Sequence, residues 1–177
     1  MSGLDDIAYT RVGIASKVES LFDPQGMAAP LIVKAKIKLR ELGTKGLQWN
    51  DLVSNEDRDW WEEWFCVLQQ LNDIDIPRCL FPDEENIVQS ELHAFGDASE
   101  EAYARLSYIR NVYSDGRVLV RQVRASTKLA PKRSISVPKL ELNAALQAAR
   151  LASSVNGAFT RIPYRRYFWT DRSTVRN

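Results

Sequence analysis

The spacing of apolar residues changes character once along this chain, and that change constrains the fold more than any composition figure. Ahead of residue 82 they recur at helical intervals; beyond residue 86 they largely alternate, as in strands, with one helical interlude. Between the two lies Pro82-Asp83-Glu84-Glu85-Asn86, an acidic, turn-rich connector. A chain of 177 residues makes one to two domains. The pattern therefore predicts an α/β (α+β) protein: a helical, connection-like segment over 1–86 and a strand-rich domain over 87–177.

The first half reads as three helices. Thr10 is placed to cap a helix whose apolar face is Ile14, Val18, Leu21 and Phe22. Asp23-Pro24-Gln25-Gly26 breaks it. Pro30 suits the first turn of a second helix with Ile32, Ala35, Leu39 and Leu42 on one stripe, closed by Gly43 and Gly46. Ser54-Asn55-Glu56-Asp57 resembles a capping box, with Asp standing where the longer Glu is usual. The helix behind it carries Trp60, Trp61, Trp64, Phe65, Leu68 and Leu71. Such a stripe is ordinarily a packed face. It could also be a stacking platform for bases, but platforms interleave cations, and here Asp57, Asp59, Glu62 and Glu63 surround the rings.

The second half reads as strand, strand, strand, helix, strand. One strand ends at or near Asp97, a second spans Tyr103 to Tyr113, and Ser114-Asp115-Gly116 turns the chain into a third with Val118, Val120 and Val123. Ala130-Pro131-Lys132-Arg133 is a basic loop. Pro138 opens a helix to about Ser153, ended by Asn156-Gly157, and Tyr167-Phe168-Trp169-Thr170 is a short strand leading to Asp171.

Charge also divides the chain, at a point just before Asp97. Residues 1–96 hold 9 Lys and Arg against 17 Asp and Glu, and residues 97–177 hold 15 against 6, so a net charge of +1 joins an acidic half to a basic one. A basic half implies a polyanionic partner or an electrostatic match to the acidic half. Cys66, Cys79 and the single histidine, His93, exclude a disulfide scaffold and a Cys/His zinc cluster, and leave one candidate base for any Ser-His-Asp machine. Lys34, Lys36 and Lys38 interrupt the longest apolar run, and the N-terminus has no apolar signal core, so no membrane partner and no secretion are expected.

Three carboxylates punctuate the second half: Asp97 near the first strand's end, Glu141 about one turn into the helix, and Asp171 after the fourth strand. Small Ala144, Ala145 and Ala148 would let that helix approach a sheet closely. Clustered carboxylates repel unless cations neutralise them. Hard oxygen donors suit Mg²⁺ or Mn²⁺, and metals so held activate water and stabilise a leaving oxygen in phosphodiester cleavage. On spacing alone, solvation or helix capping is the ordinary reading of each.

Five strings in order carry a resemblance. They are Ser20-Leu21-Phe22-Asp23-Pro24-Gln25-Gly26 followed by Ala28-Ala29-Pro30, the Trp-rich helix followed by Ile76-Pro77-Arg78, His93-Ala94-Phe95-Gly96-Asp97-Ala98-Ser99, Ser136-Val137-Pro138-Lys139-Leu140-Glu141-Leu142, and Phe168-Trp169-Thr170-Asp171. From about Tyr9 to Val175 the chain resembles the pol polyprotein of BEL/Pao-type LTR retrotransposons, in the region from the end of the reverse transcriptase through the ribonuclease H-like domain. The resemblance implies a mixed sheet whose first three strands are antiparallel, with a packed helix. It implies Asp97, Glu141 and Asp171 as catalytic and metal-binding carboxylates, Mg²⁺ or Mn²⁺ as cofactor, and cleavage of RNA in an RNA–DNA hybrid. Lys128, Lys132, Arg133 and Lys139 would contact phosphates. Reverse transcriptase portions of the same polyprotein are implied partners, and the cytoplasm or nucleus the compartment.

The chain also departs from the family pattern. Ala104-Arg105 replaces a small Gly-Ala pair, putting a cation where the second strand should pack, and Arg172 replaces a Ser beside the expected metal site. Because the chain stops at Asn177, a truncated domain is expected, lacking later helices, a fifth strand and a fourth carboxylate, with cleavage impaired. Two other readings follow. One is a non-catalytic connection module that binds nucleic acid or polymerase. The other is an aspartic peptidase, the class whose label the family carries, although Asp97-Ala98-Ser99 lacks the glycine of a retroviral-type catalytic loop.

Overall fold

The computed structural model describes residues 8–132, 135–159 and 165–170. The chain forms two compact units. One runs to Asp23 and resumes over Pro30–Ile76; the other takes Pro24–Ala29 and continues from Pro77.

The helical unit holds α1 (Arg11–Glu19), most of α2 (Ala29–Thr44) and α3 (Asn55–Gln70), which runs on into a 3₁₀ turn at Leu71–Asp73. Both expected caps form. The Thr10 hydroxyl accepts the Gly13 N–H at 3.1 Å, and the Ser54 hydroxyl accepts the Asp57 N–H at 3.1 Å. The short Asp57 side chain accepts from the Ser54 hydroxyl at 2.9 Å and meets the Lys38 ammonium of α2 at 2.8 Å. Burial acts to raise the Asp57 carboxyl, but the hydrogen bonds from Lys38 and Ser54 outweigh it and hold the group below its ordinary value.

The Trp-rich face of α3 is a core. Trp61, Trp64 and Phe65 are buried with Ile14, Val18 and Ala35, and Leu39, Val53, Trp60 and Leu68 pack at the margin. These rings meet one another edge to face or tilted, and the buried Trp61, Trp64 and Phe65 offer no free face to a base. The stacking-platform reading therefore fails. Phe22 also departs from expectation. The Ser20 hydroxyl takes the Lys17 carbonyl at 2.8 Å as α1 ends, so Phe22 falls beyond the helix face and is 92% exposed.

The second unit is built on β1 (Ile87–Ala98), β2 (Ala102–Tyr113), β3 (Val118–Leu129), α4 (Val137–Ala158) and β4 (Arg165–Trp169). The sheet order is β3-β2-β1-β4. The first three strands form an antiparallel meander, and α4 leads to β4, which lies parallel to β1 with Phe95 opposite Trp169. This is the mixed α/β architecture the sequence predicts. The helix is longer than expected, because Leu151, Ala152 and Val155 extend its buried stripe onto Leu92, Ala94 and Ile109 and carry it through Asn156-Gly157.

The second compact unit takes up the chain from Pro77, so the connector belongs with the sheet, and buried polar groups of the strands account for this. Asn111, fully buried, accepts from the Ser90 hydroxyl at 2.8 Å and donates to the Leu80 carbonyl at 2.7 Å. The Tyr113 hydroxyl donates to the Pro82 carbonyl at 2.6 Å. These bonds tie the connector to the strands. At the β3 edge of the sheet, the Ala125 N–H donates to the Gln25 carbonyl at 2.7 Å. A Cβ at Gly26 (φ +74°) would lie 2.0 Å from the Ala125 carbonyl oxygen, so glycine is what lets this segment cover the strand edge.

Candidate functional site

Strand alternation assigns the residues of β1 to two faces. Leu92 and Ala94 face α4, as does Gly96, over which the Ala144 backbone passes. Ala98 and Tyr103 pack with Leu140 and Ala144. Glu91, His93, Phe95 and Asp97 consequently belong to the other face.

The first turns of α4 thus lie over the C-terminal end of β1. That end gathers most of the candidate residues. Asp97 is the penultimate residue of β1, exposed, with one carboxylate oxygen accepting the Ala98 N–H at 2.7 Å. Glu141, in the second turn of α4, is only 5% exposed. Lys128 is exposed opposite Tyr103 near the end of β3. Lys132 is exposed in the following loop, which the Ala130 N–H fastens to the Glu101 carbonyl at 2.8 Å, and Lys139 is exposed on the first turn of α4. Arg133, Asp171 and Arg172 lie outside the described residues. Asp171 follows Trp169, the last residue of β4, by two positions.

Among the described residues, no group of three or more His, Cys, Asp and Glu side chains is arranged to hold a metal ion. Asp97 and Glu141 are hard oxygen donors of the kind Mg²⁺ takes, so the described set has the right chemistry but supplies two carboxylates. Ala98 belongs to the strand with Asp97, so Asp97-Ala98-Ser99 is not the open loop a peptidase would need. Arg105 is accommodated rather than disruptive. It stands opposite Gly96 in an intact β1–β2 ladder, and its guanidinium donates to the Gln147 side chain of α4 at 3.1 Å. No described helix is long and apolar enough to cross a membrane.

The open face carries a cluster that pattern reading missed. The rings of His93 and Tyr167 stack with centroids 4.9 Å apart, and those of Phe95 and Trp169 at 6.0 Å. The Trp169 indole N–H donates to His93 Nδ1 at 3.0 Å. Glu91 Oε2 takes His93 Nε2 at 3.1 Å and the Arg110 guanidinium at 3.0 Å. The available signal was period-two spacing: Glu91, His93 and Phe95 on one strand, Tyr167 and Trp169 on another. Burial acts to raise the Glu91 carboxyl, yet the hydrogen bonds from His93 and Arg110, with the Arg110 charge, hold it below its ordinary value.

A carboxyl depressed in the folded state stabilises the fold above its unfolded pKa, and that contribution is lost as pH falls through the folded value. Stability measured across acid pH should therefore decline below about pH 4.3, the ordinary glutamate value. Glu91→Gln should flatten that part of the profile. An unchanged slope in the variant would assign the acid sensitivity elsewhere, Asp57 being the other depressed and buried carboxyl.

No curated protein matches the chain. A solved structure similar to it is the foamy viral protease-reverse transcriptase dRH in complex with double-stranded DNA, at 14% identity and a TM-score of 0.39. That similarity covers 80% of this chain, which spans only 25% of the other. The family model described as the Pao retrotransposon-like RNaseH-like domain matches residues 10–172, nearly the whole length, and the chain belongs to that family.

Proposed function

We propose that this domain cleaves the RNA strand of RNA–DNA hybrids within a retrotransposon pol polyprotein, using Asp97, Glu141 and Asp171 as divalent-metal ligands. The observation carrying this reading is that Asp97 and Glu141 share one end of the sheet with exposed Lys128, Lys132 and Lys139. A divalent ion held by these residues would supply an activated water and charge for the leaving oxygen. The chain's own contribution is positional. β1 presents Asp97, the close seat of α4 on Gly96 brings Glu141 to the same end, and the lysines neutralise backbone phosphates and set the register of the hybrid. Other portions of the polyprotein, the reverse transcriptase among them, are the proposed protein partners.

One observation favours a second reading, a module that holds hybrid without cutting it. Glu141 is buried in α4, while alternation sends Asp97 to the opposite face. A labelled RNA–DNA hybrid incubated with Mg²⁺ or Mn²⁺ separates the two. Cleavage by the wild-type chain, reduced about 100-fold or more in Asp97→Asn, is the expected result; losses of that order follow removal of a group that acts in the transition state. Hybrid binding without metal, with no cleavage by a folded chain, would establish the second reading instead.

A further inference from the structure

We propose that His93 is a positioning residue that acts only as the neutral imidazole: its Nδ1 lone pair holds the Trp169 indole and so fixes the end of β4 against β1, and protonation releases it.

The tautomer follows from the partners. An indole N–H can only donate, so the 3.0 Å contact requires His93 Nδ1 to carry a lone pair. The ring proton is then on Nε2, which donates to Glu91 Oε2 at 3.1 Å. Both ring nitrogens are satisfied in one neutral form. A second proton would go to Nδ1 and set two donors against each other, and the indole would have to move.

The groups facing this ring are Glu91 on β1, Tyr108 and Arg110 on β2, and Arg165, Tyr167 and Trp169 on β4. Glu91 accepts the neutral Nε2–H, and the same carboxylate oxygen holds the Arg110 guanidinium; the Arg165 guanidinium is engaged by the Tyr167 hydroxyl. Among the described residues, the strand end is held by its parallel ladder to β1, which runs to Phe95 opposite Trp169, and by these side-chain contacts. β4 has five residues, and Trp169 is 49% exposed and Phe168 56%. The indole bond and the stacked rings fix the Trp169 side chain in addition to that ladder. Asp171 follows two positions later in sequence; the link from His93 to cleavage rests on its proposed role as third carboxylate, whereas the strand anchoring does not.

The test reads the indole N–H signals of the full chain by ¹⁵N NMR between neutral and mildly acid pH, with Trp169 assigned through Trp169→Phe and His93 followed by its ring protons. The Trp169 signal is expected to shift in step with His93 titration. In His93→Asn, which keeps an acceptor near Nδ1 and cannot titrate, it should be independent of pH. A Trp169 signal that stays constant while His93 titrates would overturn the proposal. So would the same pH dependence in His93→Asn, or a His93 that takes no proton before the chain unfolds. No cleavage is measured, so a failed nuclease assay leaves this outcome untouched.

Discussion

Trp61→Ala is expected to destabilise the helical unit by about 3–5 kcal/mol, the range for truncating a buried aromatic. Trp61 is 0% exposed and touches Trp60, Trp64 and Phe65 with ring centroids 4.8–6.1 Å apart, so no surface side chain can collapse into the space it leaves. Phenylalanine makes a sharper comparison. Among the described residues, the buried Trp61 Nε1 atom has no hydrogen-bond partner, whereas Trp64 Nε1 donates to the Leu31 carbonyl at 3.1 Å. Trp61→Phe removes an unsatisfied donor, whose burial costs about 1–3 kcal/mol, and this offsets much of the lost ring volume. Trp64→Phe loses ring volume and leaves the Leu31 carbonyl without that donor. Urea unfolding should therefore rank the variants wild type, Trp61→Phe, Trp64→Phe and Trp61→Ala in falling stability. If Trp61→Phe proves worse than Trp64→Phe, the indole of Trp61 has a partner, such as an internal water, that its surroundings conceal.

What could be read from the sequence was whatever local chemistry decides. Thr10 and Ser54 cap helices because a hydroxyl in that place serves a free N–H whatever surrounds it. The three-strand meander follows from alternation and a Ser-Asp-Gly turn. Tertiary packing decided the rest. Asn156-Gly157 reads as a stop, yet Leu151 and Val155 gain enough buried surface on the sheet to carry α4 past it. Arg105 reads as a packing fault because its distant partner, Gln147, is invisible locally. The candidate carboxylates divide in the same way. Their positions at a strand end and a helix start were legible, but the burial of Glu141 depends on how deeply α4 seats, and no spacing rule gives that depth.

That depth is set at Gly96, where the largest effect on the sheet unit is expected. Replacing a strand glycine by alanine ordinarily stabilises by about 0.4–1 kcal/mol, through the unfolded chain. Here the added Cβ would stand 2.7 Å from the Ala144 carbonyl oxygen, 2.9 Å from its carbon and 3.0 Å from the Ala148 Cβ. Two of those atoms are helix backbone, which can yield only by moving α4. Gly96→Ala is therefore expected to destabilise by about 1–3 kcal/mol, the overpacking range, and Gly96→Val by more. In a chain of this size that lowers Tm by about 2–4 °C per kcal/mol. Adding Ala148→Gly relieves the side-chain contact but not the carbonyl, so it should restore little. Gly157→Ala, in open space on the same helix, should instead stabilise by up to about 1 kcal/mol. Lifting α4 off β1 also moves Glu141 relative to the end of the strand that bears Asp97, so the proposed hybrid cleavage should fall in Gly96→Ala even at temperatures where the chain stays folded. A Gly96→Ala chain as stable as wild type would mean that α4 does not sit on β1 at this depth.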